Sequence, residues 1–563
     1  MDLPRSAVDT WTTHIGNDAG AETFNSSPSA QFSCPPERQQ EAIVKSRTLP
    51  CITAIALFAA LPVPVRLAAQ DKQEHRNGQH HHYQLIDIGT FGGPNSGFQE
   101  SFLDFFMTGA PVQVLSNQET AIANADTSTP DPFGNFFDDG FEPNALEWRD
   151  RNVVNLGTLP NGQRSATYWM SENGLITGTS DNGQIDPLLG FPETHAVIWR
   201  DGAITDLGTL GGGYESWGLS VNEKGDVVGF SQNTIPDPYA IFGPCIGGQL
   251  CTQTRAFLWH NGVMRDLGTL GGNDAIASLV NDRGQIAGVS YTGTDPSTNC
   301  NVLFNNSVLI THPFYWDKKN GMVDIGTLGG TCAGPNAINN RGRVVGDSNL
   351  AGDSYFHGFI WDHGVLTDVG TLGGNYSVAV WLNDAEDVIG WATTPGDQYV
   401  HGYLRRHHVV TDLGSLNGEN CSVVWGINAS EQIVGGSVDC QTGQNGSGHA
   451  SVWENDGPMV DLNNLVARGS DLTLTFAFFI NDRGEIAARG ALSNGDMHAV
   501  LLIPCDENHP GVEGCDYSMI DALRNSSTGF MESAKSSSGA LSRSFLPRMS
   551  WHRFPGRAFG PRN

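Results

Sequence analysis

Cationic side chains recur along this sequence in equivalent positions, each at the start of a short segment rich in β-forming residues. An acidic residue follows every one of them eleven or twelve positions later. The cationic residues are His195, Arg255, His312, His357, His401 and His449, and the acidic residues are Asp206, Asp266, Asp324, Asp368, Asp412 and Asp461. An imidazole near a carboxylate can hold a metal ion, transfer a proton or form a structural hydrogen bond.

The spacing favours the structural role. If the two segments form a hairpin with a two-residue turn, His357 lies directly opposite Asp368. Within the same chain Arg255 takes the place of a histidine, and Asn144 with Asn155 replaces both members by neutral amides. A metal needs three or four ligands within about 2–2.5 Å, whereas equivalent positions of successive repeats are spread apart. We therefore predict a cross-strand pair, with no catalytic residue, metal or cofactor at these positions.

The segment Asp-Leu-Gly-Thr-Leu-Gly-Gly, called the DLGTLGG segment below, marks the repeat that must position these pairs. Its eight copies, some of them weaker, start about 53 residues apart on average, at Asp87, Asn155, Asp206, Asp266, Asp324, Asp368, Asp412 and Asp461. The unit 373–412 holds four β segments, labelled a to d: Val378 to Leu382, Asp387 to Trp391, His401 to Leu404, and Val409 to Asp412. An Asn-x-x-Gly turn separates a from b in several units. Repeats of this length with four short strands are typical of propeller blades.

The sequence therefore predicts an all-β fold, a β-propeller of four-stranded antiparallel blades over residues 80–505. Seven units run between the eight segments, three strands follow the last one, and one strand precedes Asp87. Joined together, these ends make an eighth blade, closed by the N-terminal strand, in which Asp87 meets His498. Seven blades are the alternative if the irregular first repeat, whose strand a is sought between Gly97 and Leu115, does not form one.

Triplets such as His195-Ala196-Val197 and His357-Gly358-Phe359, the Asn-x-x-Gly turns and the DLGTLGG segments recur in a fixed order. In this the chain resembles the HAF family of extracellular repeat proteins over residues 80–505. The resemblance implies an exported repeat protein. It supplies no catalytic residue.

Both ends of the chain differ from the repeats. Lys45 and Arg47 precede an apolar run that is typical of a secretory signal peptide over residues 44–69. We expect residues 1–43 to be an unstructured extension, or to be absent from the natural protein because the start codon was assigned too far upstream. We expect residues 516–563 to form a basic disordered tail. The apolar run is shorter than the ~20 residues of a spanning helix. We expect a secreted or periplasmic monomer with no stable membrane span.

Eight cysteines follow the predicted signal peptide. An even number in an exported chain indicates disulfides. Closeness in sequence favours disulfides between Cys245 and Cys251 and between Cys505 and Cys515. The remaining cysteines then pair as Cys300 with Cys332 and Cys421 with Cys440.

The net charge of -29 excludes nucleic acid as a partner, because phosphate binding requires clustered Lys and Arg. Antiparallel order places the long b–c and d–a connections on one face, and loops on a rigid scaffold commonly bind ligands. Tyr214, Trp217 and Tyr376 are the predicted ligand-binding residues on this face, near the channel mouth.

We expect an extracellular binding or scaffold module whose ligand is a glycan or a protein. The alternative is a secreted glycan-active hydrolase or lyase that uses a pair of acidic residues from the same loops. The candidates are Asp138, Asp139, Glu142, Asp186, Glu193 and Asp237. They could also bind cations.

Overall fold

A computed structural model of the chain describes residues 82–98, 112–133, 140–241, 245, 249–294, 309–441, 448–467, 470–506, 509 and 515. The predicted signal peptide over 44–69, the extension over 1–43 and the tail over 516–563 lie outside these residues. Those three assignments remain predictions.

The described residues form eight four-stranded sheets, and β1 (Tyr83–Asp87) precedes the first complete one. Blade 1 contains β2 (Gly92–Gly97), β3 (Thr120–Pro130), β4 (Phe141–Arg149) and β5 (Asn152–Asn155). Blade 2 contains β6 (Ser165–Met170), β7 (Ile176–Ile185), β8 (Pro192–Arg200) and β9 (Ala203–Asp206). Blade 3 contains β10 (Ser216–Val221), β11 (Val227–Asp237), β12 (Cys251–His260) and β13 (Val263–Asp266). Blade 4 contains β14 (Ala275–Val280), β15 (Ile286–Tyr291), β16 (Thr311–Asp317) and β17 (Gly321–Asp324).

The second half of the ring continues the pattern. Blade 5 contains β18 (Gly329–Ile338), β19 (Val344–Leu350), β20 (Phe356–Asp362) and β21 (Val365–Asp368). Blade 6 contains β22 (Ser377–Leu382), β23 (Val388–Thr393), β24 (Val400–Arg406) and β25 (Val409–Asp412). Blade 7 contains β26 (Cys421–Ile427), β27 (Ile433–Val438), β28 (His449–Trp453) and β29 (Val460–Asp461), and a short 3-10 helix (Leu462–Asn464) follows it. Blade 8 contains β30 (Thr473–Ile480), β31 (Ile486–Ala491) and β32 (Met497–Pro504).

The chain is an eight-bladed β-propeller, as the repeat pattern predicts. Every sheet is antiparallel, with its strands in the order a to d from the central channel outwards. The a strands are almost entirely buried, whereas the outermost d strands, such as β5, are exposed. Both faces of each sheet pack against neighbouring blades. The apolar core is therefore distributed between the blades around the ring.

The ring closes as predicted, because β1 adds to β32 as the fourth strand of blade 8. Five residue pairs run from Tyr83 opposite Pro504 to Asp87 opposite Val500. Tyr83 is only 1% exposed and belongs to the core of that blade. His498 Nδ1 lies 2.8 Å from Asp87 Oδ1, although the two residues are 411 positions apart. Closure leaves no open sheet edge between the first and last blades.

The DLGTLGG segment is the connection from strand d of one blade to strand a of the next. Between blades 3 and 4 the Oδ1 atom of the leading Asp266 accepts the N–H of Gly268 at 2.7 Å. The Thr269 hydroxyl donates to the carbonyl of Gly272, and the N–H of Leu270 donates to Ser290 on strand b. The same bonds recur at other copies. The DLGTLGG segment therefore forms a turn whose hydrogen bonds connect strand d to the next blade.

The cross-strand pairs form, but their register differs from the predicted one. Asp368 lies directly opposite Phe359, so His357 reaches it diagonally, with 2.8 Å between Nδ1 and Oδ2. The turn has two residues, as predicted, but it consists of His363 and Gly364. This turn lies one residue later in the chain than the predicted pairing requires, so Asp368 faces a residue two positions after His357. A two-residue offset keeps side chains on the same face, and the pair survives.

Other predicted pairs form in the same way. Arg255 Nε lies 2.9 Å from Asp266, and His312 Nδ1 lies 2.9 Å from Asp324 across a turn that is one residue longer. The Asn144 amide oxygen accepts a hydrogen bond from Asn155 at 3.0 Å in the orientation that satisfies both groups.

The pair predicted between His449 and Asp461 is wrong. His449 Nδ1 lies 2.7 Å from Glu419 Oε1, a residue of the preceding d–a connection. Asp461 instead caps the 3-10 helix by accepting the N–H of Asn463. Strand d of this blade, β29, has only two residues, so the carboxylate is recruited by the helix that follows.

Strand a of the first repeat begins earlier than predicted. It starts at Gly92 in β2, and Leu115 forms a separate bridge to Ala121 before β3. The repeat nevertheless completes a four-stranded sheet, so the count of eight is confirmed and the alternative of seven is not needed.

Disulfides join Cys245 to Cys251, Cys421 to Cys440, and Cys505 to Cys515. Cys332 is also disulfide-bonded, and its predicted partner Cys300 lies outside the described residues. These bonds fit an extracellular or periplasmic location, where the compartment is oxidising.

None of the helical structure in the described ranges has the length and apolar character that crossing a membrane requires.

Removal of the chain up to Thr90 should destabilise the ring. The deletion exposes an edge of β32 and empties the site of Tyr83, so we expect a loss of at least ~3 kcal/mol in the free energy of unfolding. Denaturant unfolding measures it. The matched control lacks residues 516–563 and should unfold like the full chain; equal midpoints for both deletions would contradict closure by β1.

The closing pair should make stability depend on pH. Hydrogen bonding to Asp87 raises the pKa of His498 above 6.5 against the effect of burial. Burial tends to raise the pKa of Asp87, but hydrogen bonds from His498 and the Gly89 N–H lower it below 3.8. The contribution of His498 is lost as pH rises through its folded pKa, and that of Asp87 is lost as pH falls through its folded pKa.

The difference in stability between wild type and Asp87→Asn should therefore be largest between pH 3.8 and 6.5. We expect no more than ~1 kcal/mol, because the Asp87 side chain is 38% exposed. Thermal unfolding across this range measures it. Asn155→Ala, in the neutral pair of blade 1, is the control and should shift stability equally at every pH.

Candidate functional site

Two of the three predicted ligand-binding residues on the long-loop face, Trp217 and Tyr376, take part in packing. Trp217 is 7% exposed and stacks between Tyr168 and Phe230, with ring centroids 5.7 and 5.5 Å away. Tyr376 is 5% exposed and lies edge-on to Tyr355 at 5.5 Å. Tyr214 is half-buried. A role of the three in ligand binding remains a prediction.

The acidic residues of the same face are used mainly to hold loops. Asp186 and Asp237 are 0% and 1% exposed, and each accepts a backbone N–H from its own loop. Glu193 lies 3.1 Å from His195 Nε2, while Glu142 is buried. Asp138 and Asp139 lie outside the described residues. The described carboxyl groups are therefore oriented by the fold before any ligand arrives.

The opposite mouth of the channel is formed by the a–b turns. In blade 3 the Oδ1 atom of Asn222 accepts the N–H groups of Lys224 and Asp226, and Gly225 adopts a φ of 78° that other residues avoid. The Asn side chain thus fixes the turn by local hydrogen bonds, as the Asn-x-x-Gly pattern predicts.

The same asparagines also connect the blades, which the sequence did not predict. Each Nδ2 group donates to the backbone carbonyl at the equivalent position of the next blade. The bonds run from Asn222 to Asn281, Asn339, Asn383, Asn428, Asn481 and finally Ser116, at 2.9, 2.8, 3.3, 3.4, 3.0 and 2.9 Å. A chain of amide bonds therefore runs around most of the mouth.

The residue after each turn asparagine, or after the serine that replaces it, lies on the rim of this mouth. The eight rim positions are Asn117, Glu172, Glu223, Asp282, Asn340, Asp384, Ala429 and Asp482. Five of them are carboxylates. Some accept an N–H from the preceding blade, as Asp482 does from Ala429 at 2.8 Å, so the rim is also held by hydrogen bonds.

Aromatic rings form the floor below the rim. Trp381 lies 6.1 Å from Trp169 and 6.4 Å from Phe479, measured between ring centroids. These residues belong to blades 6, 2 and 8, and blades 2 and 6 stand opposite each other in a ring of eight. The rings therefore meet across the channel axis.

A β-bulge in strand a directly precedes each of these rings. In blade 6 the register shifts between Ala379 and Trp381, and blade 8 shows the same shift between Ala477 and Phe479. Bulges re-aim side chains next to sites, and this one decides which residue of strand a reaches the channel axis. The extra residue has no signature in the alternation of apolar residues, so the sequence did not predict the floor.

The rim and floor enclose a cavity of about 250 Å³, here called the acidic cup. The described residues that line it include no Lys, Arg or His. Four cations directly follow rim positions, Lys224, Arg283, Arg341 and Arg483, and none of them lines the cup. Arg341 and Arg483 pair with Glu386 and Glu119 on neighbouring turns. The charge of the rim is therefore not neutralised by the residues that line the cup.

Burial raises the pKa of Glu172 above its usual value, and the charges of Asp482 and Glu223 add to the rise, while the N–H of Asn117 opposes it. The carboxylates of different blades thus influence one another across the cup. A cation entering the cup would relieve this repulsion.

The sequence showed each rim residue but gave no sign that they converge. The acidic residues recur at one position of each turn, and only closure into a ring of known size brings them to one mouth. Within the described ranges, no group of three or more His, Cys, Asp or Glu has an arrangement that could hold a metal ion.

Asn481→Ala should weaken the contact between blades 8 and 1. The Asn481 side chain is buried, donates to Ser116 and caps its own turn, so its loss leaves buried groups unpaired. We expect a loss of about 2–3 kcal/mol in the free energy of unfolding. Denaturant unfolding measures it, with Asn494→Ala as control because Asn494 bonds only within an exposed turn. Equal losses would contradict a role of the amide chain in joining blades.

No family model and no curated protein matches this chain. Among solved structures, the chain is similar to a puromycin-hydrolyzing peptidase of Mycobacterium tuberculosis, with 10% identity, a TM-score of 0.36, and coverage of 73% of this chain and 62% of that one. It is also similar to the β-propeller domain of the Trilobed protease of Pyrococcus furiosus, with 9% identity, a TM-score of 0.37, and coverage of 68% and 97%.

A third similar structure is dipeptidyl peptidase 4 of Porphyromonas gingivalis, with 9% identity, a TM-score of 0.39, and coverage of 77% of this chain and 67% of that one. The chain thus spans less than two thirds of the first of these peptidases. Likeness at this level carries no argument about activity, and the function has to be argued from the site itself.

Proposed function

We propose that this protein is an exported binding module that holds a positively charged group of an extracellular polymer in the acidic cup. The observation that carries the proposal is the ring of five carboxylates, without a lining cation, above an aromatic floor. The site is presented by a scaffold of eight blades that hydrogen bonds tie together.

An amine fits both parts of the cup. Carboxylates on the rim attract its charge, and the focusing effect of a concave acidic surface increases the local concentration of cations. An ammonium group above the face of a tryptophan is further stabilised by the ring quadrupole. Amino sugars and lysine side chains share this chemistry. A neutral glycan would gain hydrogen bonds but no relief of the repulsion between carboxylates.

Export is part of the proposal. It is supported by the disulfides, by the predicted signal peptide over 44–69 and by the resemblance to the HAF family of extracellular repeat proteins. The protein would then meet its ligand outside the cytoplasm, in the secreted or periplasmic space.

Binding is favoured over the alternative, a glycan-active hydrolase or lyase. That alternative requires an acid and a base that reach the polymer from the long-loop face. Of its described candidates, Glu142, Asp186 and Asp237 are 4%, 0% and 1% exposed, and Glu193 pairs with His195. A closed-in carboxyl group cannot contact a polymer chain unless the loops open first.

Calorimetric titration with chitosan oligosaccharides tests the proposal, because their N-acetylated forms keep the skeleton and lose the charge. We expect the amine form to bind, with an affinity that falls as salt is added. The acetylated form should bind at least ~10-fold more weakly. Oligolysine forms a third arm, which shows whether a peptide amine serves as well as an amino sugar.

The triple variant Glu223→Gln, Asp384→Asn and Asp482→Asn should lose most of this binding while retaining the fold. Tyr214→Ala, at the other mouth, is the matched control and should bind like wild type. Equal binding of charged and acetylated oligosaccharides, or no binding of any amine, would overturn the proposal. Loss of binding in Tyr214→Ala alone would place the site on the long-loop face.

A further inference from the structure

The same Asp-Pro turn occurs in the b–c connections of three consecutive blades. Its aspartates are Asp131, Asp186 and Asp237. In each case the Oδ1 atom accepts the backbone N–H two residues later, at 2.8, 2.6 and 2.8 Å. The three turns are thus built alike, and they differ in what meets the second carboxylate oxygen.

In the first copy an arginine of the next blade meets it. Arg164, which directly precedes strand a of blade 2, lies 3.1 Å from Asp131 Oδ2. It also lies 3.6 Å from Asp181, and its side chain is only 12% exposed. A buried guanidinium therefore neutralises the turn at the junction between blades 1 and 2.

In the other two copies the equivalent position holds an acid. Glu215 directly precedes strand a of blade 3, and Asp274 directly precedes strand a of blade 4. Asp186 Oδ2 and Asp237 Oδ2 are buried and have no hydrogen-bond partner among the described residues. The N–H of Ile241, four residues after Asp237, donates to Asp274 at 2.7 Å, and the N–H of Thr194, after the Asp186 turn, donates to Glu215 at 3.2 Å. The second acid of each junction therefore lies beside the same turn, where the first junction has an ion pair.

Burial and neighbouring carboxylates both disfavour the charged form of the second acid at each junction. Burial raises the pKa of Glu215 well above its usual range, and the charges of Asp186 and Glu193 add to the rise. Burial likewise raises the pKa of Asp274 to about 7, with Asp237 adding and the N–H groups of Thr254 and Ile241 and the charge of Arg255 opposing.

Neighbouring cations do not replace the missing arginine. At the junction of blades 2 and 3, His195 is engaged by Asp206 and by Glu193. At the next junction Arg255 is directed to Asp266 and to the carbonyl of Asn273. A buried carboxylate without a partner is neutralised either by a proton or by a cation. In both junctions a buried carboxylate oxygen is left without a protein partner among the described residues and can contact such a species.

We propose that the two junctions are Ca²⁺ sites, formed by Asp186 with Glu215 and by Asp237 with Asp274. Their ligand atoms are oxygens, which hard divalent cations prefer. Thr254 Oγ1, also buried and without a hydrogen-bond partner in the described chain, supplies a further oxygen at the second junction. Backbone carbonyls and water complete such coordination in extracellular modules, whose dissociation constants are ~0.1–1 mM.

The sites join blades 2, 3 and 4 and do not contact the acidic cup, so this proposal stands apart from the proposed function. Calcium at these junctions would stabilise the scaffold and would not take part in ligand binding. Failure of amine binding leaves it intact, and its own failure leaves the cup intact.

Thermal unfolding of the full chain, with chelator and with millimolar Ca²⁺, tests the proposal. Ca²⁺ should raise the Tm of the wild type by several degrees. The double variant Glu215→Arg with Asp274→Arg copies the first junction, so it should lose this response and melt higher than wild type in chelator. Arg164→Glu creates a third junction of the acidic kind and should increase the response.

A direct reading comes from Tb³⁺, which replaces Ca²⁺ at oxygen sites. Trp217 donates a side-chain hydrogen bond to Glu215 and should sensitise Tb³⁺ emission at the first site. Added Ca²⁺ should quench it, and Glu215→Gln, which preserves shape if the arginine variant does not fold, should abolish it. Identical melting with and without Ca²⁺, combined with stabilisation on acidification, would show that a shared proton fills the junctions and would overturn the proposal.

Discussion

Closure of the ring is the constraint on which the rest of this structure depends. Each blade buries one face against the blade before it and the other against the blade after it, so an open ring would expose two apolar sheet faces. The residues that prevent this come from opposite ends of the described chain. β1 completes blade 8, and Asn481 donates to Ser116 in blade 1. Contacts this distant in sequence form late and cost loop entropy, which makes the last blade the place where stability is decided.

The repeats keep the geometry of a position while changing its chemistry. The outer hairpin is tied by an imidazole and a carboxylate in several blades, by Arg255 with Asp266 in one, and by two amides in another. The position equivalent to Arg164 is filled by an arginine, an acid, a disulfide cysteine or a tyrosine: Arg164, Glu215, Asp274, Cys332 and Tyr376. A solenoid-like or propeller repeat permits this, because each blade has to satisfy only its neighbours.

The two mouths of the channel have different physical character. The long-loop mouth contains disulfides and buried carboxyl groups that accept loop N–H groups, so its polar groups are largely committed to structure. The a–b turn mouth presents its carboxylates to a cavity over Trp169, Trp381 and Phe479. Short turns fixed by asparagine amides can hold charges of one sign close together, because the backbone cannot move to separate them.

The sequence by itself determined the strands, the turns, the order of the blades and the closing pair of Asp87 with His498. These features depend on the alternation of apolar and polar residues, on turn residues and on spacing within a repeat. Such patterns are local and can therefore be recognised in the sequence. It did not determine the two-residue offset of each outer hairpin, the engagement of His449 by Glu419, or the meeting of Trp169 with Trp381. Those contacts depend on a bulge in strand a, on the length of one strand and on the radius of an eight-bladed ring. Such quantities exist only once all the blades pack together, and for that reason only the tertiary structure revealed the candidate site.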